Sequence, residues 1–336
     1  TGTLDWYVFV GDTGSEIHCH YFSLIGAPKV PPLWGLGPIE WRDQNDGGAQ
    51  EILSDIKRFT ELEIPLTGWF VDRPYSDGNH AWSKMNFSEK FADPGQWIQT
   101  IRTEFGLEFM TWAATATFGD RRFDKHLGGR YSYLDLSHPE TVAAFQRELS
   151  DRQYAVGVHG HKIDRTDEVF AEHEPWHDDT PLSERRNRYT YLVSKTFHDA
   201  AQKAWGDNHF LFARAAIHRT QPYLSAIWGG DPRSTWEGFQ GNFANAMRAS
   251  FLGFPIWGTD AGGYLGEGYI PENLYLRWLQ AASMAGFFEI KLDGSGGQGR
   301  DRMPWRYDEG FQHRFRQICE DRMALLPYLY SLAATS

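Results

Sequence analysis

Short apolar bursts recur along this chain, and most are followed by a stretch long enough to form a helix. WGLGPIEW (34–41) comes first, ahead of a run with Ile52, Leu53, Ile56 and Phe59 on one helical face. GWFVD (68–72) and EFMTWAA (108–114) follow, each closed by a polar loop. SHPETVAAFQREL then predicts a helix, with Ser137 as its N-cap and Pro139 and Glu140 in the first turn. Five more bursts complete the series: VGVHGHKID (156–164), HFLFARA (209–215), YLSAIWGG (223–230), FPIWGTDA (254–261) and FFEIKLDG (287–294). These eight strands alternate with helical stretches, except at the short step from the fifth to the sixth. The pattern predicts an α/β protein, a (β/α)8 TIM barrel over residues 31–336. A doubly wound sheet is the other arrangement to weigh. It calls for a glycine-rich phosphate loop, and no GxGxxG or GxxxxGK[ST] occurs. Residues 1–30 break the rhythm. LDWYVFVGDTGSEIHCHYFSLIG predicts a strand, a turn and a short helix, the tail of an upstream domain leading into the barrel.

Composition narrows the partners. The 336 residues are 41% hydrophobic and 23% charged, ordinary for a globular protein. No apolar run approaches the ~20 residues of a membrane helix. The net charge is −11, and no Lys/Arg block stands out, which argues against nucleic acid or a membrane surface as partner. Cys19 and Cys319 alone support neither a disulfide framework nor a cysteine-based zinc site. The cellular compartment stays open. The 14 Trp stand out, because flat rings suit the C–H faces of sugars as well as large cores.

Candidate chemistry gathers where a barrel keeps it, at the C-terminal ends of the strands. Asp72, Asp164, Asp231, Asp260 and Asp293 all stand at such ends, although Asp is a poor strand former. Taken singly, each could be a cap or a turn residue. Together they point to one of two chemistries, divalent-cation binding or glycoside hydrolysis, and the tryptophans favour the second. His18, His20, His159, His161 and His218 could be ligands, but the expectation is no metal and no cofactor. HGHKIDRTDE (159–168) carries the densest charge, and Lys162 and Asp164, two apart on a strand, share its inner face.

These segments, in this order, resemble the catalytic barrel of glycoside hydrolase family 31. The resemblance runs through IPLTGWFVDRPY, YSYLDLSHPET, GHKIDRTDE, FARAAIHRTQ, WGGDPRSTW, GFPIWGTDAGGY and RMPWRY. It implies a retaining, exo-acting α-glycosidase on α-linked carbohydrate, with Asp164 as nucleophile and Asp231 as acid/base. It implies sugar-binding roles for Asp72, Lys162, Arg214, Trp228, Trp257, Asp260 and Asp293. A Lys at 162 is similar to α-xylosidase-like members. The resemblance also implies β-domains flanking the barrel.

The chain departs from the family pattern at three places. Arg165 follows Asp164 in DRTDE, Thr67 stands where Asp is frequent, and Asp293 stands where a His is common. These changes leave the glycon open among glucose, xylose, galactose and N-acetylgalactosamine. Other readings of the same residues are a transglycosylase or lyase on the same site, a sugar-binding barrel without turnover, and a metal-dependent barrel enzyme.

Overall fold

The computed structural model describes residues 5–76, 82–117, 126–127, 133–168, 176–266, 269–295 and 302–335. Eight parallel strands form the sheet. They are β1 (Pro38–Arg42), β2 (Gly68–Val71), β3 (Glu108–Ala113), β4 (Val158–Ile163), β5 (Phe210–Ala213), β6 (Ala226–Trp228), β7, and β8 (Phe288–Lys291). β7 comes in two pieces, Trp257–Gly258 and Asp260–Ala261. The first piece pairs with β6 and the second with β8, while β8 pairs with β1. The break at Thr259 is therefore where the sheet closes on itself. The expected TIM barrel is what the chain forms, with most of its predicted strands shortened at one or both ends.

The helices are α1 (Gly14–Ile25), α2 (Ala49–Glu61), α3 (Pro94–Phe105), α4 (Pro139–Arg152), α5 (Leu182–Trp205), α6 (Trp236–Phe251), α7 (Glu272–Ser283) and α8 (Glu309–Thr335). Between β5 and β6 there is only a 3-10 turn, Gln221–Tyr223, which matches the short step in the sequence. α2 buries Ile52, Ile56 and Phe59, the stripe its spacing predicted. Alternation decides which side chains fill the barrel. Ile39 and Trp41 of β1 point in with Phe70, Met110, Phe212 and Trp228, while Arg42 points out and pairs with Asp55 of α2 at 2.5 Å. At the N-terminal end, fully buried Arg322 of α8 donates to the carbonyls of Leu36, Ser283, Ala285 and Gly286. That clamp satisfies four backbone acceptors at once and ties the last helix to the 3-10 turn before β1 and to the segment that leads from α7 into β8.

Three expectations are corrected. Trp34–Leu36, read as the start of β1, belongs to a 3-10 turn, Leu33–Leu36, and the strand begins at Pro38. The lead-in segment forms no strand among its described residues; Trp6, Tyr7, Val8 and Val10 are exposed, and an extended segment without a partner strand has no ladder to join. Ser137 does not cap α4. His138 occupies the N-cap and its ring accepts from the Glu140 amide, because the Ser137 hydroxyl and amide are both drawn to Asp135 Oδ1.

Candidate active site

A cavity opens at the C-terminal end of the strands. Its wall is Trp41 (β1), Asp72 and Arg73 (after β2), Trp112 (β3), Lys162, Asp164 and Arg165 (β4 and beyond), Arg214 (after β5), Trp228 and Asp231 (β6 and its loop) and Tyr264 (after β7). Of the nine residues named from the sequence, six lie on this wall: Asp72, Lys162, Asp164, Arg214, Trp228 and Asp231.

Asp164 follows directly on β4, its amide still bonded to the Ala113 carbonyl of β3 at 3.0 Å. Its Oδ1 accepts from the Arg165 amide at 2.7 Å and meets Arg214 Nη1 at 3.0 Å. Its Oδ2 accepts from Trp112 Nε1 at 3.2 Å. Arg165 sits at φ 61°, a left-handed conformation that costs a non-glycine residue free energy and turns the chain sharply away after Asp164. The Arg165 side chain then pairs with Glu168 and lies over Trp82.

Arg214 joins the acids together. It also meets Asp167 and Glu168, each at 3.0 Å, and Asp231 at 4.0 Å. The same Nη1 lies 3.0 Å from Asp164 and 4.0 Å from Asp231, so those two carboxylates have oxygens within about 7 Å of each other, the sum of the two distances. Surrounded by acids, the guanidinium is held more firmly protonated than usual despite its own burial. Asp231 behaves in the opposite way. Burial of its surroundings, then Asp260 and Asp164, push its pKa up to about 6, against the pull of Lys162 and Arg214.

The loop carrying Asp231 is stapled in place. Tyr264 and Leu265 amides donate to the Pro232 carbonyl, and the Ser234 amide donates to Leu265. Arg302, fully buried, reaches Ser234 and the carbonyls of Gly263 and Gly266. Gly263 has φ +90°, and a Cβ there would meet Ser234 at 2.7 Å, so the two loops can approach only at glycine. Asp72 is buried, caps the 3-10 turn that follows it, and is held well above the usual carboxylate range by burial and by Asp43.

Lys162 forms the floor. Its ammonium lies 2.9 Å from Asp260 and 3.3 Å from Glu289, beneath the Trp41 ring at 3.9 Å from the centroid. Asp260 is thus under the floor and not on the wall. Two further expected residues lie elsewhere. Trp257 points outward against Phe243 of α6, because it stands three residues from inward-facing Asp260 and so on the other face. Asp293 is fully buried; Lys291 holds it at 2.8 Å, and it accepts from the amides of Asp43 and Gln44. The sequence reading missed Trp41, Arg73, Trp112, Arg165 and Tyr264 as wall residues. Trp41 and Trp112 fall on strand ends already drawn, and the parity of Ile39 with Trp41 gave a usable signal. His159 and His161 face outward, toward Glu108 and Thr111, and no group of three His, Cys, Asp or Glu able to hold a metal ion occurs among the described residues.

Comparison with known proteins fits this arrangement. The model of the glycosyl hydrolases family 31 TIM-barrel domain matches residues 28–332. The alpha-xylosidase of Emericella nidulans is 24% identical over 98% of this chain and 44% of its own length. Alpha-glucosidase 2 of Bacillus thermoamyloliquefaciens is 24% identical over 99% of this chain and 45% of its own. The chain thus spans less than half the length of these relatives. A GH31 alpha-xylosidase from a soil metagenome, solved with xylose, shares the fold with a TM-score of 0.85 at 18% identity, covering 97% of this chain and 53% of that one. With its barrel closed and Asp72, Asp164 and Asp231 gathered on one cavity wall, the chain belongs to glycosyl hydrolase family 31.

Proposed function

We propose that this chain is the catalytic barrel of a retaining, exo-acting α-glycoside hydrolase. Asp164 attacks the anomeric carbon, and a carbon–oxygen bond to the carboxylate forms as the bond to the leaving group breaks. Asp231 gives its proton to the departing oxygen. In the second step Asp231, now a carboxylate, takes a proton from water. That water attacks the same carbon, the ester breaks, and the sugar leaves with its α configuration restored. Arg214 steadies the Asp164 carboxylate, Asp72 and Lys162 bind glycon hydroxyls, and Trp228 walls the sugar.

The observation that carries this reading is the shared Arg214 nitrogen. It brings one oxygen of each carboxylate within about 7 Å of the other, close enough to admit the ~5–5.5 Å separation of a retaining pair. The raised pKa of Asp231 supports it too, since one of two neighbouring acids must hold a proton while the other does not. The names of the relatives support α-xylosides and α-glucosides as the substrates to try first.

The test is chemical rescue. Asp164→Ala abolishes turnover of an aryl α-glycoside, and azide added to that variant restores it with a β-glycosyl azide as product. A folded Asp164→Ala variant that azide does not rescue, or one that still hydrolyses at the wild-type rate, overturns the assignment.

A further inference from the structure

Glu289 enters none of the chemistry above, yet it is fully buried inside the barrel. The register of the sheet sets it directly beside Asp260, the two being paired positions on β8 and β7. Lys162 comes from β4, on the far side of the barrel, and its ammonium meets both carboxyls. We propose that Glu289 and Asp260 are a pair of positioning residues that aim Lys162 from below at one hydroxyl group of the glycon. The proposal rests on the site being a sugar site, as read above.

An ammonium has three donors. Two are taken by Asp260 and Glu289. Lys162 lines the cavity and its two partners do not, so the third donor is left for what enters. Trp41 at 3.9 Å and Trp228 at 4.7 Å from ring centroid to nitrogen brace the ammonium from its sides. A lysine held this way is a fixed donor at a fixed depth, which selects sugars carrying an acceptor there.

The charges close only if the two carboxyls share a proton. Glu289 Oε1 and Asp260 Oδ2 are both buried without a donor among the described residues. One proton between them satisfies both oxygens and leaves a single negative charge opposite Lys162. Burial and Asp260 push Glu289 up to about 8, against the pull of Lys162, so the proton stays at neutral pH. The other charged groups around this cluster are Asp72 after β2, Asp43 after β1, Asp231 after β6, Arg302 between β8 and α8, and Lys291 on β8, whose ammonium is engaged with Asp293. Above about pH 8 Glu289 ionises. A second full negative charge then draws Lys162 away from the cavity, and sugar affinity falls.

The experiment titrates D-xylose, D-glucose and D-galactose separately, by tryptophan fluorescence, from about pH 6 to about pH 10, a window that spans the Glu289 transition. The wild-type protein is compared with Glu289→Gln, whose amide donates to Asp260 and accepts from Lys162 at every pH, and with Glu289→Leu. The expected wild-type result is an affinity for the preferred sugar that falls about tenfold as pH rises through the transition, the size of one charged hydrogen bond. Glu289→Gln removes that fall. Glu289→Leu weakens binding at all pH and raises KM for an aryl α-glycoside more than it lowers kcat, and Glu289→Gln recovers most of that loss. A wild-type affinity that is flat across the range, or a folded Glu289→Leu that binds as tightly as wild type, overturns the proposal. The wild-type titration decides the matter even if the leucine variant does not fold. Sugar binding that follows this pattern without any glycoside turnover would overturn the hydrolase reading and leave the triad standing.

Discussion

Asp231 is 41% exposed in its side chain, and partial burial with Asp260 and Asp164 nearby nevertheless pushes its carboxyl up to about 6. The sign of the consequence is definite. A raised pKa keeps the acid form below about 6 and loses it above, so kcat/KM for a substrate with a poor leaving group falls as pH rises through that value. Lys162 and Arg214 both lower the Asp231 pKa. Arg214→Met therefore moves this alkaline limb to higher pH, besides slowing the reaction, and a pH–rate profile of both proteins checks it. At this scale the sequence was legible wherever a residue's parity on its strand was secure. Lys162 and Asp164 share a face and both reach the cavity. Trp257 was misplaced although its odd spacing from inward-facing Asp260 puts it on the other face, and Asp293 was lost because a lysine two residues earlier captures it. Side-chain pairing across the barrel, such as Lys162 with Glu289, comes from closure and has no local signature in the sequence.

Elements place these residues by mutual constraint. β6 spans only Ala226–Trp228, so the loop beyond it cannot be held by its own strand. It is held by Tyr264, Leu265 and above all Arg302, which bridges the loops after β6 and β7. Arg302→Met is expected to cost about 3 kcal/mol of stability, because it leaves buried carbonyls unpaired. Asp231 would also be freed, lowering kcat. Urea unfolding and steady-state kinetics measure the two effects, and a variant unchanged in both contradicts the role given to Arg302. The eight strands and the short β5–β6 step could be read from alternation and spacing. The β1 start and the α4 cap could not, since a 3-10 turn at Leu33–Leu36 and a capture of Ser137 by Asp135 depend on local hydrogen bonds that compete with regular structure.

For the whole molecule, burial of ionisable groups outside the cup couples stability to pH. His161 and His209 are fully buried and neutral, with burial holding their pKa down to about 3 and about 4. Their ordinary value is about 6.5. Between these values the unfolded chain binds protons that the folded chain does not, so stability is full above about 6.5 and is lost as pH falls below it. The contribution of these histidines to the urea midpoint is expected to drop between about pH 7.5 and about pH 5, while the raised carboxyls Asp72, Asp231 and Glu289 contribute in the opposite sense. His161→Asn should make that drop shallower. No helix among the described residues is long and apolar enough to cross a membrane. The barrel itself was legible because eight strands, seven of them followed by a helix, leave few ways to bury every strand on both faces. Which acids meet inside it follows from closure.

The central claim is that Asp164 becomes covalently bonded to the sugar while Asp231 does not. The direct measurement is mass spectrometry of the protein after exposure to a slow fluorinated α-glycosyl fluoride, followed by peptide mapping. One sugar per chain, carried on the peptide containing HKIDR and on Asp164 within it, is the predicted result. A label on another residue, or rapid turnover of unmodified substrate that releases the β-anomer and never labels Asp164, contradicts the account.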